Sequence, residues 1–224
     1  MKTNYLETFI NIKEDLLLAL KQTFYMVGTS LIFAVIIGGL FGLVLYLSET
    51  AIFYRQKFIN QVIGALMNMI RSTPFLILMI FLLPLSKIIV GTKIGPEAVV
   101  PPLTIAAIAF FARLAEASFK EVDKGVIEAA VSSGASTFFI IRKLLIKEAL
   151  SSLIRNVTVT LISILGFSAM AGLVGGGGLG DLAYRYGYQR YEPAVMLFCV
   201  IILIVLVQIF QSIGDYLAKA VDKR

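Results

Sequence analysis

The 224-residue chain contains no histidine and one cysteine, Cys199. Without histidine, His-based catalysis and His/Cys metal centres are excluded, so no metal site is expected. A lone cysteine cannot form an internal disulfide. Cys199 lies in an apolar run and reads as a small buried hydrophobe. Charge is also scarce. Asp, Glu, Lys and Arg make up 15% of the residues, against about 25% in an average soluble domain. The chain is 58% hydrophobic, with its apolar residues in long blocks. A helix crosses a bilayer with about 20 apolar residues, so the composition describes a multi-spanning, all-α membrane protein in contact with lipid. It is too short to hold an ATPase domain as well, so any nucleotide hydrolysis belongs to another chain, and no cofactor is called for. The net charge of +6 is read through loop orientation rather than as a nucleic-acid footprint. No cleavable signal is evident: the first twenty residues are mixed in charge, and the next apolar block is too long for a signal-peptide core.

Five apolar blocks give five expected spans, at about 23–47, 58–85, 98–117, 150–174 and 193–214. Residues 1–20 carry both charge signs and place Leu6, Phe9, Ile10, Leu17 and Leu20 at helical spacing, which predicts a separate amphipathic surface helix. The transmembrane domain then occupies 21–216 and a basic tail 217–224. Gly38, Gly39 and Gly42 in the first span allow close helix approach in lipid. Pro101 and Pro102 are placed near the start of the third span, where proline is tolerated.

Lysines and arginines favour one set of loops. Arg55, Lys57, Lys120, Lys124, Arg142, Lys143, Lys147, Lys219, Lys223 and Arg224 stand against Lys2, Lys13, Lys21, Lys87, Lys93, Arg185 and Arg190, ten against seven. The positive-inside rule then puts the loop at 119–148 and the C-terminus in the cytoplasm, and the N-terminus outside. Tyr184, Tyr186, Tyr188 and Tyr191 fall on the outer side, suited to an aromatic belt.

The loop has helix punctuation of its own. Asp123 can cap a helix from Lys124, Gly134 can end it in a left-handed conformation, and Ser136 can cap a second short helix. On that second helix Phe138, Ile141, Leu144 and Leu145 share a face, while Arg142, Lys143 and Lys147 lie elsewhere. The residues alone are compatible with an interfacial helical hairpin or with a surface that docks a partner.

Glu128, Ala129, Ala130 and Gly134 follow the spacing of the ABC importer permease signature, Glu-Ala-Ala, three residues, Gly. Leu144 and Ile146 stand at the Ile and Leu positions of the Ile-x-Leu-Pro that closes it. Lys147 replaces the usual proline, which puts the local helix geometry in question. The stretches MIRSTPFLILMIFLLPLSKIIVGTKIG, PPLTIAAIAFFARLAEASFKEV and ILGFSAMAGLVGGGGLGDLAYRYGYQRY extend the likeness over nearly the whole chain. They resemble the permease subunits of methionine ABC importers. The resemblance implies the type I importer permease fold and a cytoplasmic coupling loop in which Glu128, Ala129, Ala130, Gly134, Phe138, Leu144 and Ile146 serve the ATPase contact. It further implies a homodimer in a bacterial cell membrane, two copies of an ATPase, an external substrate-binding lipoprotein, and methionine, D-methionine or a derivative as substrate. A permease for another small amino acid or a short peptide is the alternative. The small residues Ala106, Ala107, Ala109 and Gly166 are expected at the contact between the two copies.

Two further groups are candidates for the pathway or its gate. Asn68, Arg71, Ser72 and Thr73 interrupt the second span. Intramembrane charge is costly and usually faces a cavity or partner, although an arginine near the interface can snorkel. Gly175 and Gly177, with Met170 before them, belong to a Gly-rich segment expected to form a flexible external cap or gate. Its GxGxxG pattern is not a dinucleotide fingerprint, since an apolar helix precedes it and no strand. Met67, Met69, Met79 and Met170 could line a thioether-friendly route, or simply pack. Arg113 and Glu116 read as a helix-end ion pair. An ion-coupled carrier would place acidic residues inside the spans, where almost none occur. A membrane enzyme would need a nucleophile–base arrangement that no part of the chain suggests.

Overall fold

The computed structural model describes residues 5–50 and 56–222, and all regular structure among them is helical. Lys2, Arg55, Lys223 and Arg224 of the charge comparison lie outside the described residues. Helix α1 (Tyr5–Phe33) runs through a π turn at Ala34–Gly38 into α2 (Gly39–Glu49). After α3 (Lys57–Ser72) and α4 (Phe75–Val90) comes α5 (Pro96–Lys120). Short α6 (Lys124–Ser132) and α7 (Thr137–Phe139) precede a π stretch, Ile140–Leu145, that opens into α8 (Ile146–Ala171). A 3-10 turn, α9 (Gly178–Leu182), a π turn at Ala183–Gln189 and α10 (Pro193–Val221) complete the chain.

Among the described residues four helical stretches are long and apolar enough to cross a membrane: Glu7–Glu49, Pro96–Lys120, Thr137–Val174 and Pro193–Val221. The α3–α4 pair qualifies as a fifth, bent by 110°. The bend has a local cause. Pro74 disfavours helical geometry in the residue before it, and Thr73 sits extended at φ −80°, ψ 127°. The single second span expected at 58–85 is therefore two half-length helices.

Other boundaries also differ from expectation. Residues 1–4 of the expected surface helix at 1–20 lie outside the described residues, and 5–20 do not form a separate helix. They continue into the first span, and Ile12, Leu16 and Ala19 are buried in the main core. Phe9 meets Phe198 of α10 edge to face, 5.5 Å between ring centres. The second helix of the loop is likewise continuous with the fourth span, from Thr137 to Val174. The third span starts earlier, at Pro96. That leaves Pro101 and Pro102 inside α5, where transmembrane helices tolerate proline with help from their neighbours.

α5 is the central element, packed by α1, α2, α3, α4 and α8. Gly38 and Gly42 put their backbone directly against it. A Cβ on Gly42 would lie 2.6 Å from the Ala112 carbonyl oxygen, and one on Gly38 2.8 Å from that of Ile108. This is the close approach that small residues permit in lipid. Ala106, Ala107 and Ala109 are buried inside a single copy, so they are not free to meet a second one. Gly166 alone of that group has open space beside it.

Polar side chains fasten the helices at the end that carries the loop. Arg113 donates to Glu116 (2.7 Å) and to the Gly64 carbonyl of α3 (2.8 Å). Lys120 bridges Glu116 (2.8 Å) and Glu49 of α2 (2.6 Å). What reads in sequence as a local ion pair thus joins three helices around the buried Glu116 carboxylate. Asn156 of α8 donates to Ser118 Oγ at 2.7 Å, and Ser151 donates to the Ala218 carbonyl of α10 at 3.1 Å.

Candidate coupling and translocation sites

The loop between α5 and α8 is a hydrogen-bonded corner. The Asp123 carboxylate accepts from the Gly125 N–H at 2.7 Å and starts α6. At the other end the Ala135 N–H donates to the Ala130 carbonyl (3.1 Å) and the Gly134 N–H to that of Val131 (2.9 Å). This pair of bonds is a Schellman motif, with Gly134 at φ +78° as its left-handed residue. Ser136 Oγ then accepts from the Phe139 N–H at 3.4 Å to open α7.

Beneath the corner lies a second core. Ile127 from α6 and Ile140 and Leu145 from the π stretch are buried with Tyr46, Phe111 and Phe119. Above it, Val126, Val131, Phe138 and Phe139 are 43–70% exposed among exposed Lys124, Glu128, Arg142 and Lys143. Exposed apolar side chains rimmed by charge mark a contact surface for another protein.

The seven sequence candidates divide between these layers. Glu128, Ala129, Gly134 and Phe138 are exposed. Ala130, Leu144 and Ile146 are half-buried and pack on the second core. Phe138 does not share a face with Leu145 as expected, since Phe138 is exposed and Leu145 is buried. Val126, Val131 and Phe139, which the motif does not include, complete the exposed patch. Lys147 is exposed and the helix runs through it unbroken.

The second candidate group lies at the α3–α4 break. Arg71, Ser72 and Thr73 line a cavity of about 350 Å³ together with Pro74, Phe75, Phe110 and Phe167, among others. The Arg71 guanidinium stands 5.9 Å from the centre of the Phe110 ring, and Phe75 stacks on Phe167 at 4.6 Å. Phe110 lies roughly 21 Å along α5 from Pro96 and roughly 15 Å from Lys120, at 1.5 Å per residue. Arg71 therefore sits level with the middle of α5, and its side chain is exposed. Asn68 and Met170 are exposed on α3 and α8, one turn from Arg71 and Phe167 respectively, and do not line the cavity. Met67 and Met79 are buried packing residues, and Met69 is exposed; these methionines do not assemble into one lining.

The third group is remote from the break. The Gly175 carbonyl accepts from the Gly95 N–H at 2.9 Å, which ties it to the opposite end of α5. Gly177 is wedged against Gln22 and Pro96. The Gln22 and Thr23 side chains accept from the N–H groups of Gly178 (2.8 Å) and Leu179 (2.9 Å). Leu179 and Leu182 are buried in the main core. The segment is a packed helical turn rather than a free cap.

Residues 34–223 match the family model for the binding-protein-dependent transport system inner membrane component. The chain is 46% identical, over the full length of both chains, to the probable D-methionine transport system permease protein MetI of Vibrio cholerae. It is 47% identical to the methionine import system permease protein MetP of Bacillus subtilis, over 80% of this chain and 81% of that one. A solved structure of the MetNI methionine ABC transporter in inward-facing conformations superposes with a TM-score of 0.92 at 37% identity, covering 95% of this chain and 99% of the other. The five-span helical plan is that of a type I ABC importer permease. The chain belongs to the family of binding-protein-dependent transport system inner membrane components.

Proposed function

We propose that the chain is the non-catalytic translocation subunit of an ATP-driven methionine importer. It pairs with a second copy, receives substrate from an external binding lipoprotein, and is driven by two cytoplasmic ATPase subunits. The observation that carries this reading is the corner at Gly134. It presents Val126, Val131, Phe138 and Phe139 to the exterior of the chain at the end where Lys120, Glu49 and Glu116 cluster. Such a surface suits a partner ATPase. The names of the relatives, D-methionine and methionine permeases, supply the substrate class.

Reconstitution tests it. Co-expression with the ATPase should yield a complex with two copies of each chain. Vesicles holding that complex and supplied with the lipoprotein should take up methionine only when ATP is present. Competition by L-methionine, D-methionine, methionine sulfoxide and a methionine dipeptide then ranks the substrates. Uptake by the chain alone on an ion gradient would replace this reading with a secondary transporter.

The proposed orientation has the N-terminus outside and the C-terminus in the cytoplasm. With Cys199 replaced by serine, a cysteine at position 124 should react with an impermeant thiol reagent only from the cytoplasmic side, and one at position 186 only from outside. The reverse pattern would overturn both the orientation and the placement of the ATPase.

A further inference from the structure

We propose that the cavity at the α3–α4 break binds a zwitterionic α-amino acid with an uncharged, apolar side chain. Arg71 receives the carboxylate, the Ser72 and Thr73 hydroxyl oxygens receive the ammonium, and Phe75, Phe110 and Phe167 hold the side chain. This assignment rests on the importer reading above and gives it a substrate site within the permease itself.

Arg71 is the first argument. An arginine at mid-depth is costly unless something meets its charge. Arg113, Arg155 and Arg185 each pair with a carboxylate. Among the described residues Arg71 pairs with none, and its contact is the ring face of Phe110. At 5.9 Å from the ring centre the guanidinium has its N–H edge unpaired among the described residues, and that edge matches a carboxylate in two-point fashion.

Arg71 could instead have served the carbonyls at the C-terminus of α3. That role is already filled. Ser72 Oγ and Thr73 Oγ1 both donate to the Met69 carbonyl at 3.0 Å, and the Thr73 N–H donates to that of Ile70 at 3.3 Å. The same bonds fix the hydroxyl protons inward. The two oxygens are left with lone pairs, as acceptors for an ammonium. The positive end of α4, which begins at Phe75, adds to the attraction for the carboxylate.

The remaining wall is apolar. The stacked Phe75 and Phe167 rings and the Phe110 ring form a surface that favours hydrocarbon or thioether over charge. The cavity holds about 350 Å³, at the small end of ligand pockets, about 300–1,000 Å³. Among the described residues no carboxylate lines it, so a second positive charge on the ligand, as in lysine, would go unmet.

The test uses the permease–ATPase complex without the lipoprotein, and a diazirine analogue of L-methionine as photoprobe. Label should fall on peptides containing Phe75, Phe110 or Phe167, and should be displaced by excess methionine but not by lysine. In Arg71→Gln the labelling should drop about tenfold or more, the loss expected for a two-point bond to a charged group. Arg71→Lys should lose less. If Arg71→Gln does not assemble, the wild-type labelling map decides alone. Label absent from these peptides, or unchanged in an assembled Arg71→Gln complex, overturns the site. The importer reading is tested separately by uptake in the full system. Wild-type, ATP-dependent methionine uptake with no label at the break would retain that reading and remove this site. No uptake by the wild-type system would remove the reading itself.

Discussion

A Gly134→Trp variant should insert and accumulate like the parent chain yet lose ATP-driven uptake almost entirely. Gly134 sits at φ +78° with nothing within 4 Å of where a Cβ would stand. There is thus room for a side chain, and the penalty within the chain is the left-handed backbone, about 1–2 kcal/mol for an ordinary residue. That is a small part of the stability of a helical core buried elsewhere. The tryptophan would instead project from the corner, near Val131 and Phe138, into the space assigned to the ATPase under the proposed function. Gly134→Asn separates the two effects, because asparagine tolerates the left-handed region and adds little bulk. It should keep most of the uptake. The measurements are protein yield in the membrane fraction, ATPase retained on purification, and methionine uptake. Full uptake by a well-expressed Gly134→Trp protein would disprove the docking role of the corner.

Gly180→Ala should do the opposite and destabilise the fold itself. A Cβ at Gly180 would run into the backbone of Ala169, and one at Gly172 into the backbone of Gly180 and Asp181. The end of α8 and the start of α9 thus meet backbone to backbone. A side chain can rotate away from an intruding methyl group, but a helix backbone cannot. The cost should reach about 3 kcal/mol, the upper end of ordinary overpacking. Gly28→Ala is the comparison, since Gly28 lies within α1 with open space around it. There alanine should be neutral or stabilising by about 0.5–1 kcal/mol. Thermal unfolding of the detergent-purified proteins would show the difference. A wild-type transition in Gly180→Ala would mean that α8 and α9 are not packed this way.

The spans could be read from the sequence because long apolar blocks have one physical explanation in a chain this poor in charge. The corner was equally legible, since Asp123, Gly134 and Ser136 act through local backbone bonds that need no distant partner. Local pattern could not decide continuity. Mixed charge with apolar residues at helical spacing suits a surface helix as well as an extension of a span. Only the burial of Ile12, Leu16 and Ala19 against the core distinguishes the two. The Gly-rich segment has the composition of a loop, and its helical turns depend on packing that composition does not record. Pro74 marked an interruption but not its angle. Phe75, Phe110 and Phe167 belong to three different helices, so no spacing in the sequence brings them together around Arg71.

The unbroken path from Thr137 to Val174 makes the fourth span a lever. At 1.5 Å per residue it is about 55 Å long, with the corner at one end and the contact between Ala169, Gly172 and Gly180 at the other. A tilt of about 5° about Asn156, roughly 27 Å from Val174, would displace the far end by about 2 Å, taking the helix as straight. A partner pushing on α6 and α7 would therefore shift the Gly-rich turns without a relay of side chains across the membrane. The stroke would be set by helix length and by where the lever pivots, and the Asn156–Ser118 bond to α5 is placed to act as its fulcrum.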